Sequence, residues 1–207
     1  MKADWHTILD SKEAIIALMG AMVGSLLGGV FALIGGFFSN QLEICRENKR
    51  EKRELKAVLQ GFHSELKALW ERYIDSVGKE IENLPADEPW LKYWPITHDY
   101  FILFNSNASM IGKIQNEELR EKIIFVYIRA KGIIDSFRMN NELNQKVENL
   151  AFTIEQLGNG PLRSQANVSQ KAYLKGMSSY ANTIKKQHYE LKEALEDLLP
   201  KLKKASI

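Results

Sequence analysis

The stretch from Ala14 to Phe38, AIIALMGAMVGSLLGGVFALIGGFF, constrains everything else in this chain. It holds no charged residue, and Ser25 is its only polar side chain. At about 1.5 Å of rise per residue it makes a helix of roughly 38 Å, longer than a hydrocarbon core of about 30 Å. A water-soluble protein rarely sustains so long an apolar run. The stretch predicts a transmembrane helix over 14–38.

Its small residues are ordered. Gly20, Gly24 and Gly28 stand four apart, and Ala32 and Gly36 continue the row. A second row, Ala17, Ala21, Ser25 and Gly29, lies about 100° round the helix. Lipid gives helices no hydrophobic reason to associate, so spans meet where small residues let backbones approach. One such glycine-zipper row suits a helix pair, and two adjacent rows give each helix a neighbour on either side, as a closed ring requires. The span predicts a homo-oligomer.

Outside this block the chain is polar, with a mean hydropathy of −0.27 overall. Its 207 residues leave room for one soluble domain of ordinary size. A net charge of +2 argues against nucleic acid as a partner. The single cysteine, Cys45, excludes an intrachain disulfide framework and fits a reducing compartment. The apolar block is too long for a secretory signal, acids precede it, and no small-x-small site closes it, which predicts an uncleaved anchor. Two basic residues, Lys2 and Lys12, precede the span, and six follow closely: Arg46, Lys49, Arg50, Lys52, Arg53 and Lys56. The positive-inside rule then places the N-terminus outside a bacterial inner membrane and the C-terminal domain in the cytoplasm. That topology leaves the glycosylation-type triplets at Asn107 and Asn167 unmodified. The expected domains are a short external tail (1–13), the transmembrane helix (14–38), a stalk with the first bundle helix (39–84) and the remainder of the bundle (85–207).

In the tail, Trp5 suits the outer interface, and Asp10 with Glu13 resembles a capping box. From Leu42 to Leu84 no proline intervenes, and Glu43–Arg46, Glu47–Arg50 and Arg50–Glu54 stand at helix-supporting spacings. Leu55, Leu59, Phe62, Leu66, Leu69, Tyr73 and Val77 then recur in steps of four and three, a coiled-coil or bundle seam. Pro85 to Pro89 breaks the helix, and Trp90 to Pro95 is aromatic enough to pack on the bundle. Thr97 suits the cap of a short helix from Asp99 to Ile111. Asn116 caps a long one with apolar positions from Leu119 to Phe137 and again from Leu143 to Leu157, with a bend expected near Asn140-Asn141. Gly158 to Pro161 is a stop. A last helix over roughly Ser164 to Leu199, with a seam at Met177, Ala181, Ile184, His188, Leu191, Leu195 and Leu198, ends at Pro200. Period-two alternation is absent. The predicted fold is all-α: a transmembrane helix, a coiled-coil-like stalk, and a cytoplasmic antiparallel bundle of three long helices and one short one.

No constellation for chemistry stands out. His6, His63, His98 and His188 are scattered, and none sits in a metal-binding or nucleophile motif, so neither metal nor cofactor is expected. His188, on a bundle seam, reads as a core histidine. Ribonucleases of the HEPN type carry an Arg four to six residues before a His, and no histidine here has one. The expectation is a non-enzyme. The basic stretch from Arg46 to Lys56 suits anionic lipid headgroups or an RNA backbone, but the interleaved acids favour a topology signal on a solvated helix face. The aromatic group Trp90, Tyr93, Trp94, Tyr100, Phe101 and Phe104 reads as filling the bundle's open end in preference to a recognition pocket.

The layout of a glycine-rich N-terminal span, charged stalk and helical bundle resembles the membrane accessory proteins of type VI-B CRISPR systems. So does the run from Tyr100 to Gly112, YFILFNSNASMIG, followed by a helix containing Phe125-Val-Tyr127. The resemblance implies an oligomeric assembly that perturbs the inner membrane during phage defence. The functional expectation is a pore-forming or membrane-perturbing homo-oligomer controlled by its cytoplasmic bundle. The alternative is a membrane-anchored adaptor whose bundle binds a cytoplasmic protein partner.

Overall fold

The computed structural model describes residues 12–96 and 100–206. All regular structure among them is helical: α1 (Lys12–Tyr73), a π-helical turn (Ile74–Gly78), α2 (Lys79–Asn83), α3 (Ile102–Ser106), α4 (Ala108–Ile111), α5 (Glu117–Gln156) and α6 (Pro161–Ala205). The chain divides into two units, Met1–Arg53 and Glu54–Ile207.

In the first unit every residue from 15 to 53 is exposed. The apolar side chains form an uncovered sheath in which Leu33 is 77% and Leu26 71% accessible. An 18-residue window here reaches a mean hydropathy of 2.1 with nothing buried, long and apolar enough to cross a membrane. Trp5 and Asp10 lie outside the described residues.

In the second unit the predicted seam becomes core. Leu59, Phe62, Leu66, Val77 and Ile81 pack with Leu119, Ile123, Val126, Tyr127, Ile133 and Phe137 of α5 and with Ala181, Ile184, Leu191, Leu195, Leu198 and Leu202 of α6. Rings fill its centre. Phe104 stacks on Tyr127 at 3.8 Å between centroids, and Phe62 meets Tyr127 edge-on at 5.9 Å.

Several boundaries depart from expectation for identifiable reasons. The short helix is two, α3 and α4; Thr97 and Asp99, its expected start, lie outside the described residues. Phe101 takes a left-handed conformation (φ 63°), and no local side chain caps α3. Glu65 of α1 does so from across the fold, accepting from the Leu103 and Phe104 amides at 2.7 and 3.3 Å and from the Tyr127 hydroxyl at 2.8 Å. Replacing Glu65 with alanine strands two amides and the phenol of the buried Tyr127, and is expected to cost about 2 kcal/mol of stability in a denaturant titration. Glu65→Gln keeps one acceptor and is expected to lose less.

Asn116 caps α5 as its spacing predicts, accepting from the Leu119 amide at 2.9 Å. Through Asn140-Asn141, where a bend is expected, α5 continues as one unbroken helix. These asparagines have another task. Asn140 donates to the Trp90 and Lys92 carbonyls at 3.1 and 3.2 Å, and Asn144 to Lys92 at 3.0 Å. Asn141 donates to the Trp94 carbonyl at 2.7 Å and accepts from its amide at 3.0 Å. Helix side chains thus satisfy the backbone of the non-helical Trp90–Trp94 run, which places Trp90 in the core. The last helix also differs. It starts at Pro161, whose fixed φ suits a first helical position, and it passes through Pro200 to Ala205. Losing one ladder bond at Pro200 is offset by Leu202, which is fully buried beyond it.

Candidate functional site

The residues singled out in the sequence all lie on α1. Gly20, Gly24, Gly28, Gly29 and Gly36 are exposed, and a Cβ built at any of them meets nothing within 4 Å. Ala21 and Ser25 are exposed beside them, the Ser25 hydroxyl donating to the Met22 carbonyl at 2.9 Å. Each glycine in a helix interior costs about 1 kcal/mol relative to alanine in water. Among the described residues nothing lies within 4 Å of a Cβ built at these glycines. The basic residues Arg46, Lys49, Arg50, Lys52, Arg53 and Lys56 are likewise exposed and are not gathered into a cluster by tertiary packing. Arg53 folds back to donate to the Lys49 carbonyl at 3.3 Å.

The structure assembles one polar cluster that sequence reading did not. His188 of α6, fully buried, accepts at Nδ1 from the Tyr73 hydroxyl at 2.8 Å and donates from Nε2 to Glu82 Oε1 at 3.1 Å. This pairing assigns the neutral Nε2–H tautomer. Lys192 reaches the same carboxylate oxygen at 2.9 Å, and Trp70 stacks on the imidazole at 5.7 Å. The π turn between Tyr73 and Glu82 brings both side chains to one ring. Gly78 lets it happen: a Cβ there would stand 2.7 Å from Ile74 Cδ1, 3.3 Å from Tyr73 Cε1 and 3.5 Å from His188 Cε1. An apolar cavity of about 80 Å³ adjoins the cluster, lined by Trp70, Tyr73, Trp94, Phe101, Phe137 and Leu195 among others.

Electrostatics hold the cluster in one protonation state at neutral pH. Burial pushes the His188 imidazole below its ordinary value of 6.5, against the opposing pull of Glu82. The hydrogen bonds from Lys192 and then His188 hold the Glu82 carboxyl below the usual range. Burial, with Glu82 second, raises the Tyr73 phenol. The result is a neutral phenol, a neutral imidazole and an ammonium–carboxylate pair, which clasps the π turn and α2 to α6. No member is poised near neutrality to exchange protons. Among the described residues no three His, Cys, Asp or Glu side chains converge as a metal site.

Acid should loosen the clasp. His188 binds its proton more readily unfolded than folded, so stability is complete above 6.5 and falls as pH drops below that value. Glu82 adds a further loss only below its ordinary 4.5. The melting temperature of the chain is expected to fall from pH 7 to pH 5, and His188→Gln should flatten that part of the profile. An unchanged slope in the variant would assign the loss elsewhere.

The sequence places Tyr73 and His188 on apolar seams, which marks both as inward-facing. It gives no sign that Glu82 and Lys192 meet them, because that depends on how distant helices register. Compared with known proteins, the chain matches no family model, no curated protein and no solved structure.

Proposed function

We propose that this chain is a single-pass inner-membrane protein that self-associates through its glycine-rich span and perturbs the membrane, with the bundle, on the cytoplasmic side, as its control element. One observation carries the reading: an uncharged helix over 14–38, exposed from Ile15 onward, whose glycines leave space that no described residue fills. Soluble proteins rarely expose so large a contiguous apolar surface. In lipid the sheath is solvated and the small-residue rows become the surface on which helices meet. Residues 39–84 serve in this reading as the stalk between span and bundle. The assignment to antiphage defence rests on the layout resemblance described above, and no enzymatic step is invoked.

The test is to replace 14–38 with a glycine-free leucine span of equal length and to measure dye release from liposomes holding the purified protein. The natural span is expected to release dye and the leucine span to retain it. Equal activity of both in cells, with no release from liposomes, would instead assign the span as a plain anchor and the bundle as an adaptor.

A further inference from the structure

We propose that the outer half of the α5–α6 hairpin is a self-docking arm, which pairs with the same arm of a second copy to complete a four-helix arrangement. The inference rests on the self-association proposed above and adds where in the bundle two copies meet. On α5 no residue beyond Asn144 is buried, and on α6 none before Met177. Between these limits the Tyr93 hydroxyl reaches Glu148 at 2.8 Å, the two helices pack on each other, and Val147, Leu150, Ile154 and Leu174 stay half-buried. Two amphipathic helices alone leave one side of such a seam in water. At the base of the arm, astride those limits, that side opens as an apolar groove of about 540 Å³, lined by Met139, Leu143, Ala172, Tyr173, Gly176 and Tyr180. The Trp90–Trp94 run does not cover it, being bound to Asn140, Asn141 and Asn144 on another face of α5.

Charge selects the occupant. From Met139 to Gln156 α5 carries Glu142, Glu148 and Glu155 against one Lys146. From Pro161 to Tyr180, the stretch beside the groove, α6 carries Arg163, Lys171 and Lys175 and no acid at all. A second arm docked groove to groove sets each acidic α5 between two basic α6 stretches, its own and its partner's. Any pairing of α6 with α6 sets like charges together. The arm is therefore complementary to itself in one alternating arrangement, as a two-fold interface requires.

The test uses the full chain in detergent, with Cys45→Ser and Ala172→Cys, treated with a short bis-maleimide. A covalent dimer is expected. Gly176→Trp fills the groove from a position whose Cβ meets nothing within 4 Å, so the protomer accommodates it. It is expected to reduce the cross-linked dimer at least tenfold, and Lys171→Glu with Lys175→Glu, both exposed, should reduce it too. An oligomeric mass without a cross-link at 172, or a cross-link unchanged in both variants, overturns the arm while leaving self-association standing. A monomeric mass overturns both.

Discussion

Gly24→Leu combined with Gly28→Leu is expected to abolish dye release from liposomes and to reduce the detergent-solubilised protein to no more than the pair of chains that the α5–α6 arms hold. The two positions adjoin on one face of α1 and are exposed, and among the described residues nothing stands within 4 Å of a Cβ built at either. Leucine strengthens the helix relative to glycine and favours insertion into the bilayer. Failure to fold or insert therefore does not explain a loss. What leucine removes is the close approach of two backbones, on which association of apolar helices in lipid depends. Ile15→Leu and Val23→Leu, within the same span but on the Ile15, Met19, Val23 and Leu27 row that holds none of the small residues, serve as controls and should leave release within about twofold. Release that survives the double substitution would show that copies do not meet through this row.

Phe62→Ala is expected to produce the largest loss of stability in the bundle, about 3–5 kcal/mol. Phe62 is fully buried, with Phe104 at 5.8 Å and Tyr127 at 5.9 Å between ring centroids. Its removal opens a cavity between α1 and α5 and strips Tyr127 of its edge contact. Against a total stability of about 5–15 kcal/mol, that approaches the threshold for folding. Leu91→Ala, at an exposed position, should change stability by no more than about 0.5 kcal/mol. A denaturant titration of the full chain in detergent compares the two. A cost at Phe62 no larger than at Leu91 would place the core elsewhere.

Much of the helical pattern was legible because apolar spacing reports directly on burial. Leu59, Phe62 and Leu66 on one helix, and Met177, Ala181, Ile184 and Leu191 on another, recur at helical intervals, and the core buries them. The helix-capping role of Asn116 was legible for the same reason, since its partner amide lies three residues away. Features that depend on distant partners were not. Glu65 caps a helix 38 residues further along the chain. Asn140 and Asn141 look like helix weakeners until the Trp90–Trp94 backbone is laid against them. Pro200 looks like a terminus because local propensity carries no knowledge of Leu202. The His188 clasp needs a π turn and a glycine at 78, and neither has a spacing signature. The glycine rows stand differently: the sequence displays them openly, and the use proposed for them, contact between copies of the chain, is not one that the fold of a single protomer displays.

The most direct test of the account is the mass of the full-length protein purified in detergent, by light scattering corrected for bound detergent. Self-association through the span predicts one defined mass at an integer multiple of the chain, unchanged on dilution. A mass equal to a single chain would contradict it, and the glycines of 14–38 would then be ordinary membrane-helix composition.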